Sequence, residues 1–255
     1  MVAACSNRGV RISTVGKLLD LLDHLTPDRA DGTSRSASDH WSEVLGREGH
    51  PLNTDLPDVN LLAWRDVGLL PSGRRRQALD VGCGLGRNAR WLAGHGYEVT
   101  GIDIAAPALQ EARSRTTAES VTFAECDFLR DPVPGSPFAV VYDSGFFHHV
   151  APHRRVTYLE VLDRCLEPGG LFGVCTFAAG QMGATASDRE LLTSGGLGEG
   201  IGYTTDDLRQ IFRDFEFIAA GPQRLAPGGE DNAFRQGFLT TALFQNPRPK
   251  RPDLP

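Results

Sequence analysis

The chain of 255 residues contains no uninterrupted apolar run near the about 18 residues that a membrane-spanning helix needs, which argues against a helical membrane protein. Its first residues lack the continuous apolar core of a secretory signal, so a cytoplasmic location is expected. Cysteine is scarce, with five residues at positions 5, 83, 126, 165 and 175. The number is odd, and the spacing fits neither a disulfide framework nor a zinc site, so the thiols read as reduced. Basic charge is not in excess: 26 Lys and Arg stand against 32 Asp and Glu, a net charge of −6. That balance argues against a broad nucleic-acid surface. No internal repeat is visible.

Apolar residues make up 40% of the chain, enough for one large core. The most informative stretch is Ala78-Leu-Asp-Val-Gly-Cys-Gly-Leu-Gly-Arg-Asn-Ala89. An apolar strand carrying Asp80 runs into Gly82, Gly84 and Gly86, and an amphipathic segment follows at once. Glycine removes the Cβ where a backbone turns sharply and where a ligand must touch it, and the N–H groups of the next helix can then face that ligand. A second strand, Val99 to Asp103, ends in an acid 21 residues after Gly82. This is close to the spacing of about 20 at which a carboxylate grips ribose hydroxyls. Two further strands have polar tips, Val121 to Asp127 and Phe138 to Asp143. Ligands of open α/β sheets bind at that carboxyl edge.

Helical patterns alternate with these strands: Arg87–His95, Pro107–Arg113 and Pro152–Leu166. Pro168-Gly-Gly170 then reads as a break before a strand from Leu171 to Phe177. Thr204-Thr-Asp-Asp207 has the capping pattern of a helix start, and Glu216–Gly221 and Gly237–Phe244 supply two last strands. The alternation predicts an α/β, doubly wound sheet. Val15, Leu18, Leu19, Leu22 and Leu25 fall on one helical face. The expected organisation is an N-terminal helix and linker over 1–38, either a lid or disordered, one domain over 39–245, and a proline-rich disordered tail over 246–255.

The segments Leu79–Gly86, Ile102-Asp103, Cys126-Asp127-Phe128, Asp143-Ser-Gly145 and Leu166–Gly170 together resemble the class I S-adenosylmethionine-dependent methyltransferases. Gly145 to Arg155 is similar to the small-molecule branch, with the tellurite-resistance-type and thiopurine-type enzymes. The resemblance implies a seven-stranded Rossmann-like sheet of order 3-2-1-4-5-7-6 with an antiparallel last strand. It also implies S-adenosylmethionine as cofactor and a small-molecule acceptor. Asp103 suits the ribose hydroxyls, Asp127 the adenine amine, and Ile104 and Phe128 the ring faces. The methionine ammonium suits Asp80 and carbonyls near Gly82 and Asp143. Its carboxylate suits backbone N–H groups, with Arg87 as a candidate cation. Gly84 shapes the turn, and Ser144 with Gly145 the floor beneath the sulfonium.

Methyl transfer from a sulfonium needs alignment and exclusion of water more than a metal or covalent intermediate. An acceptor that must lose a proton also needs a base, and neutral imidazoles at His148 and His149 are the candidates. No acid or cysteine completes a ligand set with His148, His149 and His153, so no metal is expected. His153 and Arg154 place positive charge at a helix start against the macrodipole, which points to an anion or an ion pair with Asp or Glu. Trp41, Asn60, Trp64 and Tyr203 are pocket candidates, Trp64 also suiting a place against the sheet. Cyclisation of the cofactor with release of methylthioadenosine, noncatalytic cofactor binding and an NAD(P)-dependent Rossmann enzyme are the alternative readings.

Overall fold

The computed structural model describes residues 12–24, 33, 37–47, 49–72, 74–194, 197–223 and 232–247. Cys5, Leu25, most of the expected linker and residues 248–255 of the expected tail lie outside these. Three helices, α1 (Val15–His24), α2 (Ser38–Gly46) and α3 (Val59–Asp66), precede the sheet. The alternating unit follows as β1 (Gln77–Val81), α4 (Arg87–Gly94), β2 (Glu98–Asp103), α5 (Ala106–Ser114), β3 (Val121–Glu125), β4 (Phe138–Ser144), α6 (Arg155–Cys165) and β5 (Leu166–Ala178). It closes with α7 (Asp188–Ser194), β6 (Gly202–Tyr203), α8 (Thr205–Ile211), β7 (Glu216–Pro222) and β8 (Leu239–Gln245).

The strand order is β3-β2-β1-β4-β5-β8-β7, with the two-residue β6 pairing β5 off this path. Only β8 runs antiparallel to its neighbours, β5 and β7. With β6 set aside, this is the expected order 3-2-1-4-5-7-6. The central parallel strands β1 and β4 are buried on both faces and read as near-continuous apolar runs. Alternation divides their side chains between two cores. Leu79, Val81, Val141, Phe172 and Val174 pack with α6 and α8 residues on one face. Ala78, Val140 and Tyr142 pack with α3 and α4 residues on the other. Asp80 pairs in register with Tyr142 and shares the face of Ala78.

The structure corrects two boundaries. Strand β5 starts at Leu166, not Leu171: Leu166 pairs with Phe138 across a register shift, and Gly169, at φ 79°, lets the strand pass Pro168-Gly-Gly170. The apolar face expected of α1 is only in part its buried face: Leu19 is buried and Leu22 half-buried. Val15 and Leu18 are 65% and 41% exposed. What holds α1 is charge. Asp20 and Asp23 pair with Arg154, and Asp23 also with His153. The capping box is present in full: Thr204 Oγ1 accepts from the Asp207 N–H, and the Asp207 carboxylate accepts from the Thr204 N–H.

Candidate active site at the carboxyl edge of the sheet

The turn after β1 is fixed by sterics. Gly82, Gly84 and Gly86 have φ of 62°, 51° and 76°, a region that other L-residues rarely adopt. A Cβ on Gly86 would lie 2.6 Å from the Phe123 ring, and one on Gly82 would lie 3.1 Å from Phe146. The turn is tied to β2 as well, because the Gly84 N–H donates to Asp103 Oδ2 (2.8 Å). Asp103 Oδ1 accepts from the Ala105 N–H (2.9 Å), so each carboxylate oxygen holds one backbone group and keeps further acceptor capacity. Burial raises the Asp103 pKa, with the N–H groups of Ala105, Gly84 and Ile104 acting against it. Ile104 is buried beside it.

Asp127 follows β3. Its Oδ1 accepts from the Leu129 N–H (3.0 Å), and its Oδ2 from Arg130 Nη1 (3.1 Å). Burial raises its pKa and Arg130 lowers it. Phe128 is fully buried in the aromatic core, edge-on to Tyr158 and Phe146.

Asp80 differs from both. It is 1% exposed, and neither carboxyl oxygen has a hydrogen-bond partner. Burial pushes its pKa up to about 8. The charges of Asp58 and Asp143 add to the rise, whereas Arg87 and the nearby Ala89 N–H oppose it. Asp143, at the end of β4, serves its own loop: Oδ1 accepts from the N–H groups of Phe146 (2.9 Å) and Phe147 (3.2 Å), and Oδ2 from the Tyr158 hydroxyl (2.8 Å). Burial raises the Asp143 pKa to about 7 against these bonds.

Arg87 is buried, not solvated. Its Nη1 donates to Asp58 Oδ1 (2.5 Å) and to the Leu56 carbonyl (3.3 Å), its Nη2 donates to Ser144 Oγ (3.2 Å), and its guanidinium lies 4.2 Å from the Phe234 ring centroid. Asp58, fully buried, also accepts at Oδ2 from the hydroxyls of Ser144 (2.5 Å) and Tyr142 (2.6 Å). Asn60 donates to the Tyr142 hydroxyl (3.0 Å), and Gln223 donates to Asn60 Oδ1 (3.1 Å). Residues 57–59 and Phe234 are joined through backbone bonds, Phe234 N–H to Pro57 O (2.7 Å) and Val59 N–H to Phe234 O (2.9 Å). Asp58, Tyr142 and Gln223 were not among the residues singled out from sequence. Asp58 precedes α3 in the position of a helix cap, a local reading that hides its partner 29 residues away, and it makes no side-chain cap bond there.

The two histidines separate clearly. His148 stacks on Phe177 (3.6 Å, 16°), and its Nδ1 accepts from the Phe177 N–H (3.3 Å), which leaves the neutral ring's proton on Nε2. His149 is half-buried, 4.6 Å from the Trp41 ring. Burial pushes its pKa down to about 4, with His40 adding to the shift, so its imidazole is neutral at pH 7. Trp41 sits on α2, whose Leu45 packs with Leu85, Ala105 and Ala108. A cluster of Phe177, Phe234 and Leu239, with half-buried Leu52, Met182 and Phe238, adjoins it.

The remaining candidates lie elsewhere. Trp64 packs against the sheet over Gly173, where a Cβ would lie 2.8 Å from its ring. Tyr203 is in the core, its hydroxyl bonded to Arg155 Nε (3.1 Å). His153 and Arg154 hold α1 through Asp23. The four described cysteines, Cys83, Cys126, Cys165 and Cys175, are buried. Among the described residues no group of three or more His, Cys, Asp or Glu could hold a metal ion, and no helix is long and apolar enough to cross a membrane. A cavity of about 440 Å³ opens at the opposite, amino-terminal edge of the sheet. Its one charged lining residue, Arg76, is paired with Glu167.

Residues 78–170 match a family model described as a methyltransferase domain. An uncharacterized methyltransferase of Schizosaccharomyces pombe is 40% identical over 87 residues, covering 33% of this chain and 60% of that protein. One of Mycobacterium bovis is 35% identical over 99 residues, covering 39% and 49%. The chain thus spans between about half and 60% of the length of these relatives. Among solved structures, the N-methyltransferase NodS from Bradyrhizobium japonicum, in complex with S-adenosyl-L-homocysteine, superposes with a TM-score of 0.60 at 16% identity. That likeness covers 83% of this chain and 98% of NodS, and at this identity it speaks for the fold.

Proposed function

We propose, from the match of residues 78–170 to a methyltransferase domain, that the protein transfers a methyl group from S-adenosylmethionine to a small-molecule acceptor. The observation that carries the proposal is the row of buried carboxylates, Asp80, Asp103 and Asp127, at the ends of three adjacent strands around a glycine turn. The residues fit this cofactor. The unpartnered carboxyl of Asp80 suits a cationic amino-acid tail, Gly82 gives the close approach beside Phe146, and Asp103 and Asp127 offer acceptors to ribose hydroxyls and an adenine amine. Ile104 flanks the purine side, whereas the Phe128 ring is committed to the aromatic core. With Arg87 engaged by Asp58 and Ser144, the carboxylate of the tail falls to backbone N–H groups of the turn.

When bound, the sulfonium supplies an activated methyl group. The chain supplies placement. Asp143 braces the loop after β4, and Ser144 is fixed by Asp58 and Arg87. Trp41, Phe177 and their apolar neighbours wall the acceptor side and exclude water. Of the two imidazoles, His149 is the candidate base, because the accepting Nδ1 of His148 is committed to the Phe177 N–H and its Nε2 carries the proton. The half-buried apolar wall, together with the net negative charge, supports a small acceptor over a nucleic acid.

Calorimetry tests the cofactor, with S-adenosylhomocysteine expected to bind. Incubation with S-adenosylmethionine and a size-filtered cell extract tests the reaction, with S-adenosylhomocysteine expected as product. Release of methylthioadenosine instead, or binding of a dinucleotide and neither sulfur nucleoside, would overturn the proposal.

A further inference from the structure

Asp23 of α1 gathers two arginines and a histidine from two loops. His153 Nε2 shares a hydrogen bond of 2.7 Å with its Oδ1, Arg154 donates to both oxygens, and Arg130 Nη2 lies 3.5 Å from Oδ2. Arg154 also holds Asp20 (2.7 Å). Arg130 is the residue shared between two sites: its other nitrogen, Nη1, donates to Asp127. One planar guanidinium therefore spans a carboxylate of the N-terminal helix and the carboxylate assigned above to the adenine amine. Neither α1 nor Asp23 lies within the family match.

We propose that Arg130 is the positioning residue of the adenine end, orienting Asp127 as an acceptor, and that Asp23 of α1 holds Arg130 in that place. The physical need is plain. A carboxyl as buried as Asp127 tends toward its neutral form, which donates a hydrogen bond instead of accepting one. Arg130 is the strongest influence acting against that tendency, whereas Asp131 adds to it. An arginine is suited to the task because its fork can serve two carboxylates at once while its own charge does not titrate. The contact also accounts for the cations that the sequence places at the start of a helix. His153 and Arg154 secure the helix that carries Asp23. By linkage, whatever loosens α1 at Asp23 weakens binding of the purine, and purine binding tightens α1 to the same extent.

The inference rests on the reading that Asp127 accepts from an adenine amine, and a pair of ligands separates the two. S-adenosylhomocysteine carries the amine, and S-inosylhomocysteine carries a carbonyl in its place. In Arg130→Ala, S-adenosylhomocysteine should bind about tenfold more weakly, the scale of one charge-assisted hydrogen bond. S-inosylhomocysteine should be unchanged within about twofold, or bind better because a protonated Asp127 can donate to its carbonyl. Asp23→Asn should move the ratio of the two affinities the same way by less, and Arg130→Lys should recover part of it. Asp20→Asn, which loosens α1 at Arg154 alone, should leave the ratio in place. A variant that merely misfolds would lose both ligands together, so the ratio within one preparation is the readout. An equal loss for both ligands, or no loss for either, overturns the role of Arg130. Failure of the wild-type protein to bind S-adenosylhomocysteine at all overturns the cofactor reading beneath it.

Discussion

The two ends of the proposed cofactor site are built on opposite principles. At the purine end, Asp103 and Asp127 each accept two or more bonds from the chain itself, mostly from backbone N–H groups. At the methionine end, Asp80 is equally buried and neither of its carboxyl oxygens has a hydrogen-bond partner among the described residues, although Asp58 and Arg87 beside it form a dense network. The purine end is finished in the absence of ligand. The methionine end retains one carboxyl whose desolvation Arg87 and the Ala89 N–H offset only in part, so ligand charge there acts on a group that is already costly to bury. Saturation marks what holds the fold, and its lack marks where a ligand contributes most.

The comparison breaks most sharply at Asp58. Asp58→Ala should destabilise the protein by about 3–5 kcal/mol, because it strands the Arg87 guanidinium in the interior together with the hydroxyls of Tyr142 and Ser144. Urea or thermal unfolding measures this, and a loss below about 1 kcal/mol would show that the network is not the strut described.

Asp80→Asn should do the reverse, sparing stability while weakening S-adenosylhomocysteine by about ten- to a hundredfold, the worth of a hydrogen bond to a charged group. The pH dependence carries the same contrast. Asp80 and Asp143 are raised to about 8 and about 7 in the folded protein. The folded state therefore binds more protons than the unfolded chain above about pH 4, and stability falls as pH rises from there toward those values. Asp80→Asn should flatten part of that decline. Asp23 has the opposite sign: burial alone would raise its pKa, but His153 and Arg154 overcome burial and lower it. Its contribution is present above about pH 4 and is lost on acidification below that. Unfolding measured from pH 3 to pH 8.5 should show both windows, and a flat profile from pH 5 to pH 8 would contradict the upper one.

His149→Gln should slow methyl transfer about tenfold or more, on the scale of general base catalysis, with S-adenosylhomocysteine affinity intact. His148→Gln should act through stability and the Phe177 stack instead, and a pure rate effect at His148 would reverse the assignment. The smallest effect expected is that of Thr204→Ala, about 1 kcal/mol for one helix cap, read as a shift in the thermal midpoint.

What could be seen in the sequence depended on how local its cause was. The glycine turn, the strand-end acids and the Thr204 cap are each set by residues within a few positions of one another, and the structure shows them as expected. Strand β5 was cut short because Pro168-Gly-Gly170 is a breaker by local rules, and only pairing with Phe138 carries the strand through it. The buried edge of α1 was only in part foreseen because leucine periodicity carries no record of the salt links that seat the helix. Arg87 and Asp58, and Arg130 with Asp23, are matched across 29 and 107 residues respectively. No pattern along one chain announces such partners. The division of labour between His148 and His149 was equally hidden, because it depends on a backbone amide of β5.

The backbone stitch between Pro57–Val59 and Phe234 sets a lower bound on how this protein can be dissected. Asp58 closes over Arg87 from one flank and the Phe234 ring from the other, so the span recognised as a methyltransferase domain ends inside its own supporting frame. Cutting the gene at residues 78 and 170 would strip both covers from a guanidinium at the root of the first helix. A useful minimal fragment has to begin before Pro57 and run past β8.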